Sequence, residues 1–175
     1  MNKENVNVHM IGHITDKITY KDGRVEVIEG HNLVVNSFLK LIMSLLKGNN
    51  QNSGAKYWAV GSGSSSWDNT PIDPKITETK LTAEIGRKAI SSSDISFLDE
   101  KFNVVSTPTN ILQIVVKFNE SECNGSWREF GIFGGESATS TKNSGIMINK
   151  RHHALLTKTN EMVVERTMRF TLNLV

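Results

Sequence analysis

The C-terminal run MVVERTMRFTLNLV alternates apolar and polar residues along its whole length, and no other feature of the chain narrows its fold as much. In an extended chain Met162, Val164, Met168, Phe170, Leu172 and Leu174 share one side, interrupted only by Arg166. Glu165, Thr167, Arg169, Thr171 and Asn173 take the other. A period of two cannot place an apolar stripe on a helix, so the segment predicts a long strand with one buried face and one polar face. ILQIVVKF repeats the pattern, with Leu112, Ile114, Val116 and Phe118 opposed to Gln113 and Lys117. Strands with one wet face belong to antiparallel sheets.

The N-terminal third predicts a hairpin over residues 9–30, in which HITDKITY and RVEVIEG flank Asp22 and Gly23, residues that tolerate positive φ in a tight turn. One helix follows over about residues 36–47. Asn36 or Ser37 caps its start, Lys47 lies in its last turn and Gly48 stops it. Its apolar residues (Phe38, Leu39, Leu41, Ile42, Met43, Leu45, Leu46) spread beyond one stripe, which predicts burial on several sides, as a plug at a sheet end or against a neighbouring subunit. Residues 55–175 read as short strands and turns, YWAV ending in the long loop GSGSSSWDNTPIDP and KLTAEIGRKAI leading into another strand. The expected fold is mainly β, an antiparallel sandwich or barrel-like sheet with one buried helix, in a single domain over residues 1–175.

Bulk properties exclude several classes. With 175 residues, 38% hydrophobic and 22% charged, the chain can bury a core and carries no apolar run long enough to cross a bilayer. Its N-terminus lacks the apolar stretch of a secretory signal, which predicts that the protein stays in the compartment of its synthesis. A net charge of +2, with only KRHH at residues 150–153 as a basic cluster, gives no strong nucleic-acid signal. The single cysteine, Cys123, excludes an intrachain disulfide framework. Its neighbours Glu120 and Glu122 disfavour a thiolate nucleophile.

The loop Gly61-Ser62-Gly63-Ser64-Ser65-Ser66-Trp67 opens like a phosphate cradle. It lacks the third glycine, the Gly-Lys-Ser/Thr signature and a following helix, so its glycines read as relief of backbone crowding. Trp58, Trp67 and Trp127 are candidate stacking platforms for a sugar, which makes a carbohydrate-binding module recognising surface glycans the alternative function. His9 and His13 in a strand stand about 13 Å apart at ~3.3 Å per residue, too far for one ion, and His152 and His153 point to opposite faces. No catalytic residue, cofactor or metal site is expected.

WREFGIFGG places Trp127, Glu129, Gly131 and Phe133 on one face of an extended strand, with a carboxylate among aromatics. Such a group needs a partner when buried. One expectation is an Arg87 to Glu129 ion pair pinning the loop to the sheet; the other is that Arg87 pairs locally with Glu84 or stays solvated.

Taken in order, HNLVVNS, AVGSG, TKLTAEIGRK, EFGIFGG, LLTKT and MRFTL resemble a group of small virion proteins of tailed bacteriophages and related contractile injection particles. The match runs from about residue 30 to the end, and the order of the motifs carries it. The resemblance implies a non-enzymatic structural component of a tail, baseplate, collar, fibre attachment or head decoration. Gly61, Gly63, Glu84, Arg87, Glu129, Gly131 and Phe133 would then be scaffold positions. The implied partners are other virion proteins and copies of the chain itself, as a homo-oligomer; the implied location is the virion, assembled in the host bacterial cytoplasm. The chain departs from complete fibres in lacking a collagen-like or coiled-coil extension and a recognisable receptor-binding domain.

Overall fold

The computed structural model describes residues 7–48 and 53–174. Ten strands form one open antiparallel sheet: β1 (Val8–Tyr20), β2 (Val25–Val34), β3 (Ala55–Gly61), β4 (Glu84–Ala89), β5 (Ile95–Leu98), β6 (Val104–Val105), β7 (Ile111–Phe118), β8 (Gly125–Gly134), β9 (Ile146–Lys158) and β10 (Met162–Leu174). Their order across the sheet is β4-β3-β8-β9-β2-β1-β10-β7-β5-β6. The hairpin forms as the sequence predicts, with Gly23 at φ 87° in its turn.

The alternating C-terminal run sets the architecture. β10 pairs with β1 over the full length of both strands and with β7 on its other side, so its apolar row joins Ile14 and Ile18 to Ile114, Val116 and Phe118. This half of the sheet turns its apolar face toward the other half, which contributes Trp58, Val60, Phe130, Ile132 and Ile148 to the same core. The two halves are joined through β2, and the join is slight: β2 pairs with β1 from Val25 to Asn32 but with β9 only at Leu33 and Val34. β2 changes partner at that point, and the two halves share one core, as in a sandwich, without closing the sheet.

A second apolar cluster lies on the far face of the β3-β8-β9 half, built from Val35, Ala59, Leu81, Phe133, Ala138 and Met147. The long β3–β4 connection, residues 62–83, and the β8–β9 connection cover that face. An apolar layer beneath loops needs those loops fixed, and the polar side chains described below fix them.

The helix α1 (Ser37–Leu46) corrects one expectation. Leu41 alone is fully buried, whereas Leu39, Met43 and Leu46 are 60%, 65% and 76% exposed. The helix lies against β9 on one side, with Ser37 Oγ donating to Met147 O, and its breadth of apolar residues faces outward. Asn36 takes the N-cap position without a side-chain cap bond, and Gly48 at φ 73° ends the helix.

Candidate functional site

Register on β3 gathers the residues that the sequence singled out. Gly61 lies between Glu84 of β4 and Glu129 of β8, Ala59 between Arg87 and Gly131, and Tyr57 between Ala89 and Phe133. Motifs some seventy positions apart in sequence therefore become three adjacent rows on one face. Glycine at position 61 is required by this crowding: a Cβ there would stand 2.6 Å from Glu129 Oε1 and 2.8 Å from Ala83 O.

Two charged clusters occupy that face. In the first, Arg87 donates from Nε to Glu84 Oε1 at 2.7 Å and from Nη2 to Glu84 Oε2 at 2.8 Å. Its Nη1 donates to Thr139 O and to Ser144 O and Oγ, and its guanidinium lies 4.8 Å from the centre of the Phe133 ring. The two side chains are 3% and 0% exposed. Glu84 Oε2 also accepts the Asn143 N–H, and Asn143 Oδ1 accepts the Leu81 N–H, so the cluster ties the β8–β9 connection to the start of β4. Bidentate pairing of this kind supplies direction as well as charge.

In the second cluster Glu129, fully buried, accepts the backbone N–H groups of Thr82 at 3.0 Å and Ala83 at 2.7 Å. Its cationic partner is Lys150 of β9, with Nζ 3.2 Å from Glu129 Oε2. Lys150 also reaches Lys80 O, Thr82 Oγ1 and the Glu78 carboxylate. Burial alone would raise the Glu78 carboxyl, but hydrogen bonds from Lys150 and the Lys75 N–H, with the Lys150 charge, hold it below the usual carboxylate range. The expected Arg87 to Glu129 pair is thus replaced by two separate ones: Arg87 takes its local partner, and Glu129 takes a lysine that only strand pairing brings near.

The glycine- and serine-rich loop after β3, residues 62–67, closes over the same sheet face. Gly63 adopts φ 52°, and a Cβ on it would fall 2.5 Å from the Trp67 ring, so a glycine here lets the chain fold Trp67 back inward. Trp67 stacks on His152 with ring centres 3.8 Å apart, and His152 Nδ1 bonds Ile72 O. Nearby, Arg128 pairs with Asp68 and donates to Ser62 O. The sugar platforms are corrected by this packing: Trp67 is 6% exposed, and Trp58 and Trp127 are wholly buried. Trp127 also departs from the expected face. A register shift between Trp127 and Glu129 turns its ring into the inter-sheet core, against Phe118, while Glu129 and Phe133 stay on the outer face.

Two further contributors are cations whose partners the pattern does not reveal. Lys158, in the LLTKT motif, is 1% exposed and donates to Asn119 O, Glu120 O, Thr159 O and Asn124 Oδ1, stapling the β7–β8 turn. Arg166, which breaks the apolar row of β10, is fully buried and donates from Nη2 to Asp16 Oδ2 at 2.9 Å between the two halves. The available signal is a charge on a core-facing row. Cys123 lies in the β7–β8 turn at φ 52°, and burial, then Glu122, push its thiol up. Among the described residues no group of three or more His, Cys, Asp or Glu gathers as metal ligands.

Chemically, the outer face is a clamp. Each carboxylate and cation in it is already engaged with backbone or an opposite charge of the same chain, and what the clamp holds is the chain's own loops. Comparison with known families and with curated proteins finds no family model and no protein sequence that matches this chain.

Proposed function

We propose that the protein is a non-enzymatic structural subunit of a tailed phage or phage-like particle, acting through contacts with other virion proteins and with copies of itself. The ordered motifs suggest the class; the observation that carries the mode of action is an apolar surface at the α1 end of the sandwich. Leu39, Met43 and Leu46 stand at helical spacing on the open side of α1. Leu39 borders a groove of about 310 Å³ with Val8, Met10, Phe38 and Leu172, and the adjacent pair Val8 and Leu174 are 60% and 74% exposed. Contiguous apolar surface of this kind marks protein contacts.

On this reading the two clamps serve rigidity. They fix long loops to a sheet so that the apolar end is presented without rearrangement, which lowers the ordering cost of assembly. Gly61, Gly63, Glu84, Arg87, Glu129, Gly131 and Phe133 are then scaffold residues, and the location is the virion.

Mass spectrometry of particles purified from the bacterium that encodes the chain tests the class. The protein is expected at a fixed ratio to the tube or capsid protein. Its absence from intact particles would overturn the reading. A variant with Leu39, Met43 and Leu46 changed to Gln is expected to fold and to fail to join particles; normal incorporation would remove the helix end as the contact.

A further inference from the structure

In strand order β2 sits between β9 and β1, yet for most of its length it is an edge. Among the described residues, its only ladder from Val25 to Asn32 is with β1. Outside the strand ladders, no residue from 25 to 32 takes part in a backbone–backbone hydrogen bond among the described residues. Free edges are usually blunted by lysine, proline or a bulge. VEVIEG contains neither residue, its ladder with β1 is unbroken, and Val25, Val27 and Ile28 are 49%, 60% and 44% exposed. This edge is open, apolar at Val25, Val27 and Ile28, and charged at Glu26 and Glu29.

Where β2 parts from β9, a cavity of about 300 Å³ opens, bordered by Asp16, Ile28, Phe130, Arg151, Leu155 and Leu156. Arg151 is partly buried there and makes no side-chain hydrogen bond or ion pair among the described residues. Its guanidinium rests on Gly30, where an added Cβ would meet Nη2 at 2.2 Å. Glu26, Ile28 and Gly30 share the cavity-facing side of β2, opposite Ile18, Asp16 and Ile14.

We infer that a second copy of this chain pairs antiparallel along the β2 edge, about a two-fold axis at Ile28. Residues directly opposite in an antiparallel ladder share a face, so the axis must pass through a residue; one placed between residues would turn a copy's inner face outward. Centring on Ile28 sets the two Ile28 side chains against each other over the cavity, beside Leu155 and Leu156. It also sets Glu26 of the second copy opposite Gly30, whose missing side chain admits the Arg151 guanidinium and so brings that cation within reach of the carboxylate. Glu26 now accepts from the Tyr20 hydroxyl and pairs with Arg24, and with its side chain 43% exposed it can exchange these surface partners for Arg151. The contact is self-complementary, occurring twice about the axis.

This deepens the self-association in the function proposed above and rests on it, but it is tested in solution, independently of particle content. Sedimentation velocity of the full chain over a wide micromolar range is expected to show a dimer. Arg151→Glu and Glu26→Arg are each expected to weaken it by at least about tenfold, and the double exchange to restore it. In a Cys123→Ser background, oxidised Ile28→Cys is expected to form a covalent dimer and Val27→Cys is not. Circular dichroism checks that each variant folds. A strict monomer, a dimer indifferent to both charge changes, or one lost with Leu46→Glu but not with Arg151→Glu would overturn the proposal. Failure of the double exchange, or of the Ile28→Cys variant to crosslink, would overturn the register.

Discussion

Arg87 and Arg166 are both buried arginines on β strands, and their surroundings differ in a way that separates the two faces of the sheet. Every nitrogen of Arg87 is bonded: one carboxylate holds Nε and Nη2 through two parallel hydrogen bonds, and two carbonyls and a hydroxyl accept from Nη1. Arg166 makes one bond to Asp16 and a long contact to His153 Nε2, while its Nε and Nη1 have no hydrogen-bond partner among the described residues. Instead its guanidinium lies 4.8 Å from the centres of both Trp127 and Phe130. The outer face uses charge to give loops a single position. Between the halves, charge is held mainly by aromatic faces, and directional bonding is sparse.

That contrast predicts effects of opposite sign. The largest belongs to the outer face. Glu129→Ala leaves Lys150 buried with less countercharge and strips the acceptors from Thr82 and Ala83, so urea denaturation should register a loss of about 3–5 kcal/mol. Lys150→Met in the same background should cost far less than it does alone. Strictly additive losses would mean that the two side chains do not act as a unit.

Arg87→Lys comes next. A lysine keeps the charge but cannot reproduce the fork, and a loss of about 2 kcal/mol is expected; no measurable change would show that charge alone holds the β8–β9 connection. The inner face should respond the other way. Replacing Arg166 and Asp16 together by Met and Leu should be neutral or stabilising by up to about 1–4 kcal/mol, because a sparsely bonded ion pair exchanges well for apolar packing. A loss as large as that of Glu129→Ala would erase the distinction between the two faces.

A pH profile sharpens the same comparison. Burial first, and the Arg166 charge second, push the His153 imidazole down to about 3. Unfolded histidine binds a proton near 6.5. The unfolded state therefore holds more protons between these values, and stability falls as pH drops from about 6.5 toward 3, by at most about 1.4 kcal/mol per unit from this group. His153→Gln should flatten the urea-midpoint profile across that window. An unchanged slope would mean that another group sets the acid sensitivity. The smallest effect is expected at Lys21, whose pair with Glu161 is exposed at 55% and 60%. Lys21→Ala should alter stability by less than about 0.5 kcal/mol.

Half of the outer clamp is legible in the amino-acid sequence. Gly61, Glu84, Arg87, Glu129 and Phe133 all stand out there, because a carboxylate set among aromatics, and glycines at a strand end, each break a local rule. Their partners do not. Lys150 lies in KRHH, which reads as a basic cluster, and Lys158 enters only as part of the LLTKT motif. Each becomes a buried donor only because β9 pairs with β8 or runs beside the β7–β8 turn. Simple alternation puts Trp127 on the wrong face because a register shift inverts the pattern, and nothing in WREFG marks that shift.

Sequence by itself determined the alternating strands β7 and β10, the hairpin turn at Gly23, the limits of α1 and the mainly β class, since each follows from periodicity and backbone preference within a few residues; β5, β6 and β9 carry no such pattern. Tertiary structure decided which charges met, that the three tryptophans turned inward, and that one side of α1 and the edge of β2 were left bare. Those outcomes depend on pairings between segments far apart in the chain, where a shift of one residue changes every partner and every face.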